Sequence, residues 1–466
     1  MKFLRTSFTE AWKYPARLFL LFVFLLSLPC CSIPPQVNGS RLDSASPSSV
    51  PPEVELGREI FEKLKPQLEF TESQLVQAYV DRMGKKILKQ VRSNGFEFRY
   101  FVIRSDQLNA FALPNGYIFL TDRLLNAVRT EDELAFVLCH ETAHVTRAHF
   151  RRLLSKKSKV DIATMAAMIA GILLARDSEL QTAIQAFSIG ANQTFFLKYS
   201  REFEDEADET GFRYLTRAGY QGGGAIQFME KLHRLERITI VPPAYLSTHP
   251  PTSNRIYHLE QLHGRNYPSS PSLEPSRNFR RFQIWNRIET EHLQDYLQDL
   301  KRNYQDNPNN PDILYGLALT LDRTGKAEES MDFFKKGLAQ DPNDTDVLRD
   351  LGYSLFRHGR YQEAVTNLSQ AIKIDPADFL AFHYLGRALK EMNRLEEAIA
   401  NLKQSRELYP DFPETYFMLG LVYQQKGRLK EAHQCFATHF SLKGNQKAAH
   451  FHLREADKFK ANNQPP

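Results

Sequence analysis

The chain has 466 residues, too many for one hydrophobic core, and is expected to fold as two or three domains. Its 42% hydrophobic content is typical of a globular protein. A formal net charge of only +5, without an arginine-rich tail, argues against a protein that binds nucleic acid.

The first 31 residues have the pattern of an export signal. Basic residues precede an apolar run from Leu18 to Leu28, which is shorter than the roughly 20 residues that a membrane span needs. Leu28 stands three residues before Cys31, as in lipoprotein signals, although Cys30 fits that pattern poorly. Lipidation, simple cleavage and retention as a short anchor therefore all remain open. Each outcome places the rest of the chain outside the cytoplasm.

Composition and periodicity divide the remaining chain. Segments rich in Ser and Pro predict a flexible tether and an interdomain linker. The predicted parts are a tether at 32–52, a first domain at 53–265, a linker at 266–280, a helical connector at 281–310, four repeats at 311–446, and a capping helix and tail at 447–466.

The four repeats have a period of 34 residues. Prolines recur at this interval, as do leucines and a turn series, at Pro308, Pro342, Pro376 and Pro410, at Leu317, Leu351, Leu385 and Leu419, and at Gly325, Gly359, Asn393 and Gly427. The pattern resembles the tetratricopeptide repeat, a helix–turn–helix unit. Gly352, Gly386 and Gly420 are expected to let paired helices approach closely. Such arrays usually bind a protein or peptide on their concave face.

Residues 136–150, FVLCHETAHVTRAHF, contain the first candidate metal ligands. A helix turns about 100° per residue, so His140 and His144 lie on one face with Glu141 beside them. In this H-E-x-x-H arrangement, two imidazoles bind zinc and the glutamate acts on the attacking water. A chance pentapeptide in a core helix is the alternative. The apolar surroundings favour a metal, because buried polar groups without partners are costly.

The third ligand is expected downstream, between Ser200 and Gly219. His149 is excluded, because nine residues after His140 it falls half a turn out of phase, and we expect a structural or supporting role for it. Glu204 lies closest to the apolar stripe of the downstream helix, and Asp208 follows one turn later, where a carboxylate can hold a ligand imidazole. Two histidines and one glutamate leave a fourth position open, as in catalytic sites with one Zn2+ per chain.

Four segments carry a resemblance to a known family: NAFALPNGYIFL (109–120), HETAH (140–144), SREFEDEAD (200–208) and THPPTSNR (248–255). Over about 55–260 the chain resembles the gluzincin peptidases, in the branch of the CaaX prenyl proteases, the HtpX heat-shock proteases and the mitochondrial Oma-type proteases. The resemblance implies zinc held by His140, His144 and Glu204, with Glu141 as general base. It departs from the family at Ala143 and Asn115, where glycine is usual.

The expected fold is mostly α: a helical zincin domain with a small β-sheet beside the cleft, then an α-solenoid of tetratricopeptide repeats. Tyr117, Ile118, Phe119 and Leu120 are expected to form an edge strand that pairs with an extended substrate. His249 and Arg255 are either ordinary loop residues or catalytic groups that stabilise the oxyanion. A further alternative is that His249 occupies and blocks the zinc.

The apolar segment 160–175 is short for a membrane span. A buried helix, or a hairpin resting on the membrane or covering the cleft, is favoured. This segment and an N-terminal lipid are the two candidate points of membrane association.

The predicted function is that of a zinc endopeptidase of the bacterial envelope. From the resemblance we expect a periplasmic location, attached to the outer membrane if the chain is a lipoprotein. The expected substrates are unfolded or misassembled outer-membrane proteins, with outer-membrane assembly machinery as the partner of the repeats. The alternative is an assembly scaffold without proteolytic activity. An integral-membrane prenyl protease would require several long spans that this sequence lacks.

Overall fold

The computed structural model describes residues 52–92, 95–155, 162–174, 200–238, 244–249, 253–264 and 274–461. These residues are mostly helical and contain one three-stranded sheet, which confirms the predicted fold class. The predicted signal, nearly all of the tether and residues 266–273 of the linker lie outside the described residues.

The first domain combines helices with the sheet. Several of its helices begin after a Ser or Thr whose hydroxyl accepts a hydrogen bond from a backbone N–H of the first turn, as at Thr130 and Ser200. Its elements are α1 (Pro52–Leu64), a 3-10 turn (Lys65–Gln67), α2 (Gln74–Leu88), β1 (Arg99–Ile103), β2 (Ala110–Ala112), β3 (Tyr117–Thr121), α3 (Asp122–Ala127), α4 (Glu131–Thr146), α5 (His149–Ser155), α6 (Ile162–Leu174), α7 (Arg201–Arg217), α8 (Gly223–Ile238), α9 (Ala244–Thr248) and α10 (Ser253–His263).

The strand order in the sheet is β1–β3–β2. β3 pairs in parallel with β1 and antiparallel with β2, and all five of its residues are buried. The expectation that Tyr117, Ile118, Phe119 and Leu120 form an edge strand is therefore wrong, because both sides of β3 are already hydrogen-bonded. The edge position next to α4 belongs to β2, whose three residues are too few to give a strand pattern in the sequence.

Helices α4 and α7 pack closely and carry the candidate metal ligands. Gly211 of α7 makes this approach possible. A Cβ atom at this position would lie 3.0 Å from the backbone nitrogen of His140 and 3.1 Å from its Cα. Backbone atoms cannot move aside as a flexible side chain can, so glycine sets the distance between the two helices.

Helix α6 is the described part of the apolar segment 160–175. Met165, Ile169 and Ala170 pack in one cluster with Ile60 and Leu64 of α1. Along the described ranges, no helix is both long and apolar enough to cross a membrane.

The second half of the chain is a helical array. It begins with two connector helices, α11 (Arg277–Thr290) and α12 (Leu293–Asp306). Four helix pairs and a final helix follow: α13 (Pro311–Arg323) and α14 (Ala327–Gln340), α15 (Thr345–Arg357) and α16 (Tyr361–Ile374), α17 (Phe379–Glu391) and α18 (Leu395–Leu408), α19 (Pro413–Gln425) and α20 (Leu429–Leu442), and α21 (Gln446–Ala461).

Repeat geometry follows from the residues that recur every 34 positions. A Cβ on Gly352 would lie 2.6 Å from the Leu368 side chain, and one on Gly386 would lie 2.5 Å from Leu402, so the small residues do allow the paired helices to pack. Asn393 adopts φ +57° at the turn where the other repeats have glycine. Asparagine is the residue that best replaces glycine in this left-handed conformation.

Helix α11 joins the first core to the array. It begins at Arg277, inside the predicted linker, because Phe279 and Phe282 pack into the core of the first domain. Phe282 stacks on Tyr79 of α2 with ring centroids 4.4 Å apart. The array also returns to α2, where the Tyr409 hydroxyl donates a hydrogen bond to Asp81.

Candidate metal centre

Four buried side chains from α4, α7 and the end of α9 converge at one point: His140, His144, Glu204 and His249. One ligand atom from each lies within 4.8 Å of all the others. The Nε2 atoms of His140 and His144 are 3.0 Å apart, and the Glu204 carboxylate lies 3.6 Å from the first and 3.5 Å from the second. The structure therefore brings together the three residues predicted as metal ligands.

Glu141 lies beside this cluster on α4. Both of its carboxylate oxygens are buried and accept no hydrogen bond within the described part of the chain. Burial raises the pKa of Glu141, and His249 and His140 offset this only in part. Nε2 of His249 lies 3.6 Å from Oε1 of Glu141. A buried acid that accepts no hydrogen bond is unfavourable in an ordinary core, whereas a metal site with its water gives such a group a function.

The donor set fits a divalent metal. Imidazole nitrogens and a carboxylate oxygen are the ligands that zinc prefers. Burial and the neighbouring His140 and His249 lower the pKa of His144 well below its usual value, which keeps the imidazole neutral and able to ligate. Burial raises the pKa of Glu204, but His249 and Arg255 outweigh this effect, so the carboxylate is ionised.

Asp208 and Arg255 form a layer behind the ligands. One Asp208 oxygen lies 2.9 Å from Nδ1 of His140, the ring nitrogen that faces away from the cluster. Arg255, in the first turn of α10, donates hydrogen bonds to both Asp208 oxygens, and its Nη1 lies 2.7 Å from Glu204. The guanidinium thus contacts the carboxylate that supports His140 and the carboxylate ligand.

His249 lies within the cluster. Its Nδ1 is 3.0 Å from Oε1 of Glu204 and 3.4 Å from Nε2 of His140. The ring stacks on Tyr245, with centroids 4.7 Å apart. The backbone N–H of His249 donates to the backbone carbonyl of Tyr245. Tyr245 in turn donates its N–H to the carbonyl of Leu108, just before β2, which fixes the short helix α9 against the sheet.

His149 also approaches the centre, which phase counting along one helix did not predict. Its Nδ1 lies 2.9 Å from Nδ1 of His144, and its Nε2 lies 3.2 Å from Glu206. The contact exists because α4 ends at Thr146 and a new helix begins at His149. Ala148 between them has φ +53°. The sequence signal for this break is weak, since neither glycine nor proline marks it.

Comparison with known proteins finds matches to both parts of the chain. Residues 74–263 match the model of Peptidase family M48. Tetratricopeptide repeat models match residues 294–351, 352–393, 386–427 and 413–446. The chain therefore carries an M48 metallopeptidase domain followed by tetratricopeptide repeats.

Bacterial relatives of the chain include proteins named beta-barrel assembly-enhancing protease. The protein of Escherichia coli (strain K12) is 27% identical over 214 residues, which cover 46% of this chain and 44% of the relative. The protein of Yersinia pestis is 26% identical over 231 residues, or 49% and 47% of the two chains. Each match spans about half of the relative's own length.

A mitochondrial protein and a solved structure are also similar to parts of the chain. Mitochondrial metalloendopeptidase OMA1 of Schizosaccharomyces pombe is 32% identical over 184 residues, covering 39% of this chain and 52% of the relative. A crystal structure of MamA aligns with a TM-score of 0.31 at 23% identity, over 33% of this chain and 91% of the other.

Proposed function

We propose that this chain is a zinc-dependent endopeptidase of the bacterial cell envelope that cleaves unfolded or misassembled proteins. The observation that carries the proposal is the convergence of His140, His144 and Glu204 beside the buried carboxylate of Glu141, which accepts no hydrogen bond from the described residues. In an ordinary helical core, such a set of buried polar groups would be destabilising.

Metal binding and proton transfer are assigned to different side chains. His140, His144 and Glu204 would hold the metal, and zinc, when bound, would polarise the scissile carbonyl and lower the pKa of a bound water. Glu141 is placed to accept a proton from the attacking water and to return it to the leaving nitrogen. Its raised pKa brings it closer to neutral pH, which suits a group that must both take and give a proton.

His249 is proposed to block the metal in this conformation. A catalytic zinc needs a position for water besides its three protein ligands. Nδ1 of His249 lies 3.0 Å from Glu204 and 3.4 Å from His140, so the ring would compete with water for that position if zinc were bound. Its ring would have to move away before a substrate carbonyl enters.

Arg255 is proposed as a positioning residue instead of an oxyanion donor. Two of its N–H groups donate to Asp208 and its Nη1 lies 2.7 Å from Glu204, so these groups are directed behind the ligands. Arg255 and Asp208 are 47 residues apart in the sequence, so helical spacing alone does not predict their contact.

An extended substrate is proposed to pair with β2. Thr121 donates its N–H to the Asn109 carbonyl and Leu113 donates its N–H to the Tyr117 carbonyl, so residues 109, 111 and 113 face β3. In an antiparallel pair the alternate residues, Ala110 and Ala112, direct their backbone groups to the opposite side. A small cavity lined by Ala112, Leu113 and His144 supports this pairing, because this edge of β2 then lies close to a proposed metal ligand.

The envelope location and the substrate class are supported by the predicted export signal and by the names of the bacterial relatives. The same observations support outer-membrane proteins as clients and outer-membrane assembly machinery as the partner of the repeats. The concave face of the array is the surface proposed for that partner.

Glu141→Gln tests the catalytic assignment. It should leave zinc content unchanged and reduce cleavage of casein by about a thousandfold or more, because the proton acceptor is lost while all metal ligands remain. Glu209→Gln, at an exposed position on α7, is the matched control and should cleave as the wild type does. If Glu141→Gln cleaves normally, or if the wild type binds zinc but cleaves nothing, the scaffold alternative is favoured.

His249→Ala tests the blocking role. Removing the imidazole should raise the rate of casein cleavage while zinc remains bound by the other three ligands. A lower rate would mean that His249 assists catalysis. An unchanged rate would exclude both roles.

A further inference from the structure

His149 reaches the metal centre through a break in the helix that carries the motif. In a continuous helix its side chain would point half a turn away from His140. Instead α4 ends at Thr146, and Ala148 adopts φ +53° before α5 begins at His149. This left-handed conformation is unfavourable for a residue with a side chain, and such strain persists only where the surrounding structure enforces it.

The hydrogen bonds of the His149 ring can run in one direction, with His144 donating to His149 and His149 donating to Glu206. Nε2 of His144 faces the cluster, so when it binds metal its proton resides on Nδ1. That N–H can donate to Nδ1 of His149, 2.9 Å away. His149 then carries its own proton on Nε2, where it can donate to the Glu206 carboxylate 3.2 Å away.

The ring is held in place from α7. It stacks on Phe203 with centroids 4.7 Å apart and an interplanar angle of 6°. Arg152 donates a hydrogen bond of 2.6 Å to the same Glu206 oxygen and lies over the Phe203 ring. Phe203 and Glu206 are the close neighbours of Glu204, so His149 connects the segment after His144 to the turn that supplies the carboxylate ligand.

We propose that His149 and Glu206 are positioning residues that orient the His144 imidazole for metal binding. The inference rests on the proposed metal site. Asp208 and Arg255 would hold His140, and His149 and Glu206 would hold His144, so each ligand imidazole has its own supporting carboxylate. For His144 that support passes through a second imidazole. Groups that orient a ligand in this way typically change metal affinity by 10- to 100-fold when removed.

Zinc affinity of the purified full chain, measured by competition with a chromophoric chelator, tests this role. His149→Phe keeps an aromatic ring against Phe203 but removes the acceptor for His144, and it should weaken zinc binding about 10- to 100-fold. His149→Asn places Oδ1 where Nδ1 now lies and should recover most of the affinity. Glu206→Gln should give a smaller loss, and the control Glu209→Gln none.

A purely structural role would give a different pattern. In that case the melting temperature of the metal-free protein would fall in His149→Phe, and His149→Asn would not restore zinc affinity. We expect the metal-free melting temperatures of wild type and His149→Phe to agree, and the visible spectrum of the Co2+-loaded protein to change in His149→Phe and return in His149→Asn. Wild-type zinc affinity in His149→Phe overturns the inference. A wild type that binds no zinc at all would instead overturn the proposed function.

Discussion

Arg255 donates two parallel hydrogen bonds to Asp208, from Nε to Oδ2 at 2.7 Å and from Nη2 to Oδ1 at 2.8 Å. Both residues are buried, and Asp208 lies 2.9 Å from the ring of His140. Burial raises the pKa of Asp208, but Arg255 and His140 outweigh it and hold the pKa below its usual value. The pair thus provides a fixed negative charge behind a proposed metal ligand.

Arg255→Lys should disrupt this arrangement. One ammonium cannot make the two parallel bonds and also reach Glu204, and weakening a buried ion pair costs up to about 3–5 kcal/mol. We expect zinc affinity to fall at least about tenfold, as measured by chelator competition. Arg213→Lys, on the exposed side of α7, is the control and should bind zinc normally. Equal affinity in both variants would contradict a positioning role for Arg255.

Gly211→Ala should force α4 and α7 apart. Its new Cβ would contact the backbone of His140 at 3.0 Å, and overpacking of this kind costs about 1–3 kcal/mol. Gly337→Ala, in helix α14, is the matched control, since its Cβ would meet Val347 at an ordinary 3.8 Å. The control should be neutral or more stable by up to about 1 kcal/mol, because alanine favours the helix. Similar melting temperatures for the two full-length variants would show that the helix contact is not tight.

The repeat array contains a buried histidine whose titration should be visible in stability. Burial, with a smaller effect of Arg387, lowers the pKa of His383 to about 3, and its Nδ1 lies 3.0 Å from the Thr415 hydroxyl. The unfolded chain, where histidine has a pKa of about 6.5, binds more protons between pH 3 and 6.5. Stability should therefore be lost as the pH falls through this window, by about 1–2 kcal/mol between pH 6.5 and 5.

His383→Gln removes this proton-binding group while keeping a polar side chain. The full-length variant should lose less stability than the wild type as the pH falls from 6.5 to 5 in chemical denaturation. His450→Gln, at an exposed position of α21, should follow the wild type. Parallel pH profiles for wild type and His383→Gln would contradict the burial argument.

If substrates pair with β2, the rate of cleavage should depend on the backbone N–H groups of the substrate. Replacing one amide by an ester removes a single N–H donor, and a hydrogen bond of this type contributes about 0.5–1.5 kcal/mol. In a peptide taken from a mapped cleavage site in casein, esters at alternate positions beside the scissile bond should lower kcat/KM by about 3- to 10-fold. An ester far from that bond serves as control. Uniform rates along the whole peptide would exclude strand addition at β2.

The convergence of the three proposed ligands could be predicted from the sequence because each of them lies on a regular helix. His140 and His144 are four residues apart on α4, and the same step places Glu204 next to the buried stripe of α7. The 34-residue period likewise predicted the paired helices of the array. Periodicity is reliable wherever one helix continues without interruption.

Features that depend on a break or on distant segments were missed. His149 seemed out of phase because the count assumed one helix through Ala148. The central position of β3 depends on the three residues of β2, which show no strand pattern. Phe279 lies at the end of the predicted linker and Phe282 at the start of the predicted connector, and only tertiary packing on α2 makes them part of the first core.

The most direct test of the account is the zinc content of the purified full chain, compared with that of Glu204→Gln. We predict about one zinc per chain in the wild type, held by two imidazoles and a carboxylate, and a large loss in Glu204→Gln. The converged side chains would then be a metal centre in solution. A wild type that retains no zinc, or a Glu204→Gln variant that retains it fully, would contradict the central claim.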